Sequence, residues 1–481
     1  MHSTGIPLAL SYDDVLLVPK RSDIRSRSDV DVSTRLTRGL RIAVPVVAAN
    51  MDTVTEAETA IAIARVGGIG IIHRFLSVED QVAEVRRVKR AEALVITEPQ
   101  TVPLDATLAD VRARMDTEHV SGVVVVDGEQ KLVGLLTARD VLMQSDPATP
   151  VRTLMTPREH LVTGGPDTGA EEAARLLRDA RVEKLPLVDE EDRLVGLITL
   201  RDMIQRAERP EASKDGWGRL AVGGAIGVRG DFIERAQALV GAGADVLVLD
   251  IAHGHADHSL EALGRVRAAL GADVQIIAGN VATADGARDL VEAGADAVKV
   301  GVGPGSVCTT RVVAGVGVPQ LSAVMDCADI CRKADVPLIA DGGSRAGGDV
   351  AKASAAGAES VMVGNLLAGT PESPGVVVSR DGRRMKVFRG MASAGAAAAR
   401  RAADGDEEDA TQFTPVVPEG VEAVVPLSDS VAVIVHTLVG GLRSGMSYSA
   451  ARTIPEMHRN SSFVRITSGG LRESHPHDVD Y

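Results

Sequence analysis

The chain has 481 residues, a formal net charge of −14, 45% hydrophobic residues and only 2% aromatics. That length exceeds one ordinary domain and suits a large barrel carrying a smaller module. The acidic balance and scarcity of rings exclude a surface that tracks phosphate backbones or stacks on bases, so no nucleic-acid partner is expected, although a local pocket can still hold one mononucleotide.

Along the chain, short apolar runs recur between helical stretches, at Val44–Ala49, Ile69–His73, Leu220–Ile226, Val246–Asp250, Val274–Ala278, Ala297–Gly301, Pro337–Asp341 and Ser360–Gly364. Strands buried on both faces and alternating with helices such as Asp285–Ala293 and Gly348–Ala356 indicate parallel βα units, and eight of them predict a closed (β/α)8 TIM barrel, an α/β fold. Function in such barrels sits at the strand C-terminal ends, here Asn50, His73, Asp250, Asn280, Cys308, Asp341 and Gly364. Cys308, Cys327 and Cys331 form no disulfide framework, and neither a signal-like start nor an apolar run of transmembrane length is present. A reduced, cytoplasmic protein with no membrane partner is expected. Cys327 and Cys331 have helical i, i+4 spacing, but no further Cys or His pair lies nearby to complete a metal site.

Far more chain separates the second and third strands than a βα connection needs, so a domain is inserted there. The expected division is 1–92 for the first part of the barrel, 93–207 for the insertion and 208–481 for the remainder. The insertion repeats internally: Leu132-Val-Gly-Leu-Leu-Thr-Ala-Arg-Asp140 recurs as Leu194-Val-Gly-Leu-Ile-Thr-Leu-Arg-Asp202, each copy preceded by an apolar strand. The sixth strand opens into a glycine-rich loop along Lys299-Val-Gly-Val-Gly-Pro-Gly-Ser306-Val-Cys308-Thr309-Thr310-Arg311. Its glycines allow positive φ and close backbone approach, so several carbonyls can turn inward as an ion site needs. Cys308 beside two threonines supplies a nucleophile with hydroxyls near it, suited to attack on an electrophilic carbon. Farther on, Arg400–Asp409 is charged and poor in apolar residues and, taken alone, reads as a solvated loop.

The string around Cys308 resembles the catalytic loop of the IMP dehydrogenase/GMP reductase family. The resemblance extends through Leu10–Pro19, Met51–Glu56, Ala340–Gly343, Arg389-Gly390-Met391-Ala392-Ser393, Val417-Pro418-Glu419-Gly420 and Gly440–Met446, nearly the whole chain. It implies that Cys308 attacks C2 of a purine nucleotide, GMP or IMP, to reach a thioimidate, with Thr310 and Glu419 relaying protons. It implies a substrate site of Ser306, Asp341 on the ribose hydroxyls, Gly343, Gly364 and Asn365 around the 5′-phosphate, and Gly390, Met391 and Ser393. A nicotinamide dinucleotide would meet Asp250, Ile251, Ala252, Asn280, Gly301, Val302 and Gly303. A potassium-type cation would take carbonyls of Gly303, Gly305 and Cys308, with Glu473, Ser474 and His475 of a neighbouring subunit completing the site. The repeated insertion resembles a tandem CBS-domain pair, which implies an adenine or guanine nucleotide effector on Asp140 and Asp202. The family also implies a homotetramer or octamer.

The two branches of the family share the thioimidate. Dehydrogenases hydrolyse it with an Arg-Tyr pair in a mobile flap, and no such pair occurs between Ser393 and Glu419, where the sequence offers Asp409-Ala-Thr-Gln-Phe413. Ala48-Ala-Asn-Met-Asp52 also resembles the reductase, whereas Met51–Glu56, the V-P-E-G element, the insertion and Arg74 after His73 look more like the dehydrogenase. The expectation is an NADPH-dependent GMP reductase of purine salvage, with an NAD-dependent IMP dehydrogenase as the alternative. A catalytically silent nucleotide sensor, the third possibility, sits poorly with intact Cys308, Thr310 and Glu419.

Overall fold

The computed structural model describes residues 5–476 apart from 93, 119, 202, 205–208 and 405–416. Two compact units emerge, one of residues 1–91, 211–215 and 220–481, the other of residues 92–210 and 216–219.

In the first unit eight parallel strands close a barrel: β1 (Val46–Ala48), β2 (Ile69–Ile72), β3 (Val222–Ile226), β4 (Val246–Asp250), β5 (Gln275–Val281), β6 (Ala297–Val300), β7 (Leu338–Asp341) and β8 (Ser360–Val363). β8 pairs with β1, with Val361 opposite Val46 and Val363 opposite Ala48. Across the insertion, β3 pairs directly with β2, Val222 opposite Gly70. Around the barrel run α1 (Ala57–Arg65), α2 (Val78–Arg90), α3 (Phe232–Gly241), α4 (Asp257–Leu270), α5 (Ala284–Glu292), α6 (Gln320–Lys333), α7 (Gly347–Ala355) and α8 (Val431–Tyr448), each packed on the next and α8 back on α1.

Side chains alternate across a strand, and the two barrel cores follow that period. Val47, Ile69, Ile71, Val246, Val248, Ile277, Ala297, Ile339 and Met362 fill the interior, together with Leu36 and Ile42 from the small hairpin Thr34–Arg35/Arg41–Ile42. Val46, Ala48, Leu247, Leu249, Val298 and Val300 pack outward against the helices. Continuing the inward register to the strand ends puts Asp250, Lys299 and Asp341 inside the mouth.

One device recurs three times where a helix returns to a strand. Gly243-Ala-Asp245, Gly294-Ala-Asp296 and Gly357-Ala-Glu359 each begin with a glycine at positive φ, the conformation that ends a helix without a Cβ penalty. In each, the carboxylate accepts the N–H at the start of the preceding strand: Asp245 from Val222 at 2.8 Å, Asp296 from Ile276 at 2.9 Å and Glu359 from Leu338 at 2.8 Å. Lys89 balances Asp245 at 2.6 Å, and Arg267 balances Asp296 at 2.5 Å. Glu359 has no ion pair at such distance among the described residues, and burial pushes its carboxyl up to about 7.

The second unit contains the sheet Thr101–Pro103, Gly122–Val126, Leu132–Thr137 and Thr156–Pro157, and the hairpin Lys184–Val188/Leu194–Thr199. Each repeat places a helix, Leu108–Glu118 or Ala170–Ala180, before its hairpin. The hairpin turns reach positive φ at equivalent residues, Gln130 and Asp192, and exchange backbone bonds: Leu132 N–H to Asp192 O at 2.9 Å and Leu194 N–H to Gln130 O at 3.0 Å.

Because the folded-state pKa of Glu359 is raised, the stability it contributes is present below about pH 4.5 and is lost as pH rises through about 7. Glu359→Gln keeps an acceptor for Leu338 without a charge to desolvate. Thermal melts are expected to show a higher Tm for the variant than for wild type at pH 8 and none of that gain at pH 5. An equal gain at both pH values would remove the charge from the explanation.

Candidate active site

The loop after β6 begins with Gly301 at φ 151°, where a Cβ would lie 2.1 Å from the Asp341 carbonyl oxygen, so only glycine lets β6 and β7 approach this closely before diverging. Gly303, also at positive φ, turns the chain under the Arg311 side chain, whose guanidinium donates to the Val318 carbonyl at 2.6 Å. Cys308 then meets Gly420 in an antiparallel bridge, with Thr309 N–H bonded to Glu419 O at 2.8 Å and Val421 N–H to Val307 O at 2.9 Å. The segment 419–421 also accepts Gly390 N–H at Val421 O, 3.0 Å. This stitching brings Cys308, Thr310 and Glu419 to one wall, with Cys308 Sγ 3.2 Å from Thr310 Oγ1.

They face a cavity of about 460 Å³, in the range of small-molecule sites. Ser306, Asp341, Gly343, Gly364, Asn365, Gly390 and Met391 line it with Cys308, Thr310 and Glu419, and Met51, Met362 and Phe388 supply apolar surface. Ser393 does not line it: its hydroxyl accepts Ala396 N–H at 3.2 Å and caps the helix Ala394–Asp404. Of the residues expected on the dinucleotide side, Ala252 lines the cavity, whereas Asp250, Ile251, Asn280, Gly301, Val302 and Gly303 lie off its wall. Asp250 and Asn280 join Asp341 around the Lys299 ammonium instead.

For a monovalent cation, the loop offers neutral carbonyl oxygens. Gly305 O already accepts Cys308 N–H at 3.1 Å, but a carbonyl has a second lone pair, so the donor set fits. Among the described residues, no cluster of His, Cys, Asp and Glu suits a metal ion. Glu473, Ser474 and His475 end the short helix Ser468–Glu473. Its approach is fixed by the pairing of Val15–Leu17 with Phe463–Arg465 in the same chain, and none of the three lines the cavity.

In the second unit, Asp140 accepts Thr137 N–H and Thr137 Oγ1, both at 2.8 Å, a capping box that starts Ala138–Leu142. A cavity of about 470 Å³ in that unit is bordered by Ser121, Lys184, Thr199 and Arg201, and not by Asp140. Asp202 lies outside the described residues.

Sequence reasoning missed three charged contacts at the site, all long-range. Lys299 makes the first, with Asp250 and Asp341. The second is Arg389 on Asp52, with Nε at 2.8 Å from Oδ2, which ties the strand Arg383–Arg389 to the loop after β1. The third pairs Arg345, on the cavity wall, with Asp13.

The three thiols differ in access. Cys308 is partly exposed, whereas burial closes off Cys327 and Cys331 on α6, pushing the Cys331 thiol up to about 12 and the Cys327 thiol higher still. Iodoacetamide at pH 8 should therefore alkylate Cys308 alone in the native protein, as read by peptide mass spectrometry. Modification of Cys327 at a comparable rate would contradict this packing.

The IMP dehydrogenase / GMP reductase domain model matches residues 9–477. The inosine-5′-monophosphate dehydrogenase of Nitrosopumilus maritimus is 49% identical over 98% of both chains, and that of Halalkalibacterium halodurans is 51% identical over 98% of this chain and 96% of the relative. Among solved structures, a GMP reductase variant from Trypanosoma brucei in complex with guanosine 5′-monophosphate superposes with a TM-score of 0.94 at 46% identity, covering 99% of both chains. The reductase from the same organism in complex with guanosine 5′-triphosphate gives 0.83 at 42% identity over 96% of this chain and 99% of its own. With that match spanning both units, the chain belongs to the IMP dehydrogenase/GMP reductase family of oxidoreductases.

Proposed function

We propose that the protein is a GMP reductase, converting GMP to IMP and ammonia. One observation carries the choice of branch: between Ser393 and Glu419 the sequence contains no Arg-Tyr pair to activate water against a thioimidate. The likeness to a reductase that binds GMP, over 99% of the chain, supports the same reading.

The nucleotide lies in the cavity with its base against Met51 and Met391 and its phosphate on the backbones of Gly343, Gly364 and Asn365. Asp341 takes the ribose hydroxyls, and Ser306 lies on the same wall. Cys308 attacks C2, and Thr310 and Glu419 deliver the proton with which the 2-amino group leaves as ammonia. Asp250, Ala252 and the Gly301–Gly303 backbone would hold an NADPH, which would supply hydride to C2 of the resulting thioimidate. The C2–S bond then breaks, releasing IMP and restoring the Cys308 thiolate. The carbonyls of Gly303, Gly305 and Cys308 would hold a potassium-type cation, with Glu473, Ser474 and His475 of a neighbouring subunit completing the site in a homotetramer or octamer, and the cation would supply charge that steadies the loop.

The dehydrogenase reading is favoured by curated relatives near 50% identity and by the V-P-E-G context of Glu419. The two are separated by turnover. With GMP and NADPH the enzyme should run steadily, whereas with IMP and NAD it should stall as a Cys308 adduct, because general-base assistance to water is worth roughly 10² to 10⁴ in rate. Mass spectrometry of the protein and an assay of XMP release check this. Rapid multiple-turnover XMP production would establish the dehydrogenase instead.

Cys308→Ala should abolish turnover with GMP binding retained, since the threonine hydroxyls cannot replace the thiolate. Residual turnover near the wild-type rate would sink the covalent mechanism.

The inserted unit, as a CBS pair, binds an adenine or guanine nucleotide at the cavity bordered by Lys184, Thr199 and Arg201. Because β2 and β3 pair without it, deletion of residues 93–207 should leave an active barrel whose rate no longer responds to ATP or GTP. A response that survives the deletion would place the effector elsewhere.

A further inference from the structure

Lys299 is 2% exposed, on β6, and points into the barrel mouth. Its ammonium lies 2.8 Å from Asp250 Oδ1, 2.8 Å from Asp341 Oδ2 and in close contact with Asn280 Oδ1. Three acceptors match its three N–H donors, so the group is saturated and has none left for a ligand. Burial alone would push the ammonium down, but the two carboxylates outweigh it and hold the charge on. Asn280 closes the figure, its amide donating to Asp341 Oδ2 and to Gly301 O, each at 2.8 Å. Asp341 thus spends Oδ2 on Lys299 and Asn280, and Oδ1 takes no hydrogen bond among the described residues. Asp341 lines the cavity, and Asp250 does not.

We propose that Lys299 is a positioning residue for the reaction: it fixes the Asp341 carboxylate, on the same cation that anchors Asp250, so that Oδ1 is presented to the ribose hydroxyls of the nucleotide. The inference rests on the assignment of Asp341 to the ribose made above. It follows from geometry. A carboxylate free to rotate would divide its time between ligand and solvent, whereas one locked through Oδ2 meets the ligand pre-organised, with less ordering to lose on binding. The cluster of Lys299, Asp250 and Asp341 carries one positive and two negative charges, a net charge of −1. Removing the lysine alone takes away the cation that both carboxylates share, with Arg74 the other cation acting on Asp250, a severe change for a buried site.

The test compares binding of GMP with binding of its 2′,3′-dideoxy analogue, without dinucleotide, by titration calorimetry. Wild type should prefer GMP by about tenfold or more, the usual worth of hydrogen bonds to a charged group. Lys299→Met should bind the dideoxy compound as wild type does and lose most of the preference, and Lys299→Arg should recover part of it. Should Lys299→Met fail to fold, Lys299→Met/Asp250→Asn keeps the net charge at −1 and should show the same loss, whereas Asp250→Asn alone keeps the preference. A lysine-free variant that still prefers GMP as strongly as wild type overturns the inference. A wild-type protein with no preference overturns the ribose assignment beneath it.

Discussion

Closure of the ring is the constraint on which the rest depends. β8 returns to β1 after more than three hundred residues of chain, and the three pairs Val361–Val46, Met362–Val47 and Val363–Ala48 set Gly364 and Asn365 beside Ala49 and Met51. Without that register, one wall of the cavity has no partner. The register is protected at the opposite end of the barrel, where Asp245, Asp296 and Glu359 each fasten one strand to its neighbour through a backbone N–H. An unpaired buried N–H costs about 1–3 kcal/mol, so these carboxylates are placed where strands would otherwise fray. That they are acidic rather than amide side chains requires Lys89 and Arg267 for two of them, and Glu359 remains the exception.

The mouth of the same barrel gathers charge instead of excluding it. Inward alternation must bring side chains to the axis, and below the mouth these are Val, Ile, Ala and Met. At the last inward positions, Asp250, Lys299 and Asp341 replace them. Hydrophobic side chains there would pack with less penalty, since burying a salt bridge gains little stability over well-packed apolar groups. The polar set is therefore better explained by what a ligand needs than by what the fold needs. Arg389 on Asp52 follows the same logic at the rim, holding Met391 and the loop after β1 together.

Much of this was legible in the sequence. All eight barrel strands lie where apolar runs of strand length occur, because strands buried on both faces leave an unbroken apolar signature. The wall of Cys308, Thr310, Glu419, Asp341 and Gly364 follows from motif and strand ends. What could not be read was pairing at distance: nothing local tells Lys299 from a lysine at an exposed strand position, or joins Arg389 to Asp52. Two local signals also carry a structural role. The Thr137–Asp140 pair is a capping box by its spacing alone, and Ser393 precedes a helix as a cap does. The Gly-Ala-Asp/Glu triplets repeat openly, yet their role appears only once the preceding strand is known to lie beside them.

On the reading proposed above, both branches of the family would place a common intermediate on the cysteine that stands here as Cys308, so the barrel, the loop and the cavity would answer to the same demands in both. Selection on those parts does not separate a reductase from a dehydrogenase. It is consistent that this chain stands near 50% identity to dehydrogenases and 46% to a reductase of nearly superposable fold. On the reading proposed here, the branches part only when the thioimidate is resolved, by water in one and by hydride in the other. Water needs a base delivered to it at that moment. Hydride needs a dinucleotide held at C2 and water kept away. A chain that lacks an Arg-Tyr pair between Ser393 and Glu419 while keeping Cys308, Thr310 and Glu419 on one wall has given up the first requirement and retained what the second uses. That asymmetry, rather than overall likeness to either branch, is the physical ground for assigning the reductive direction.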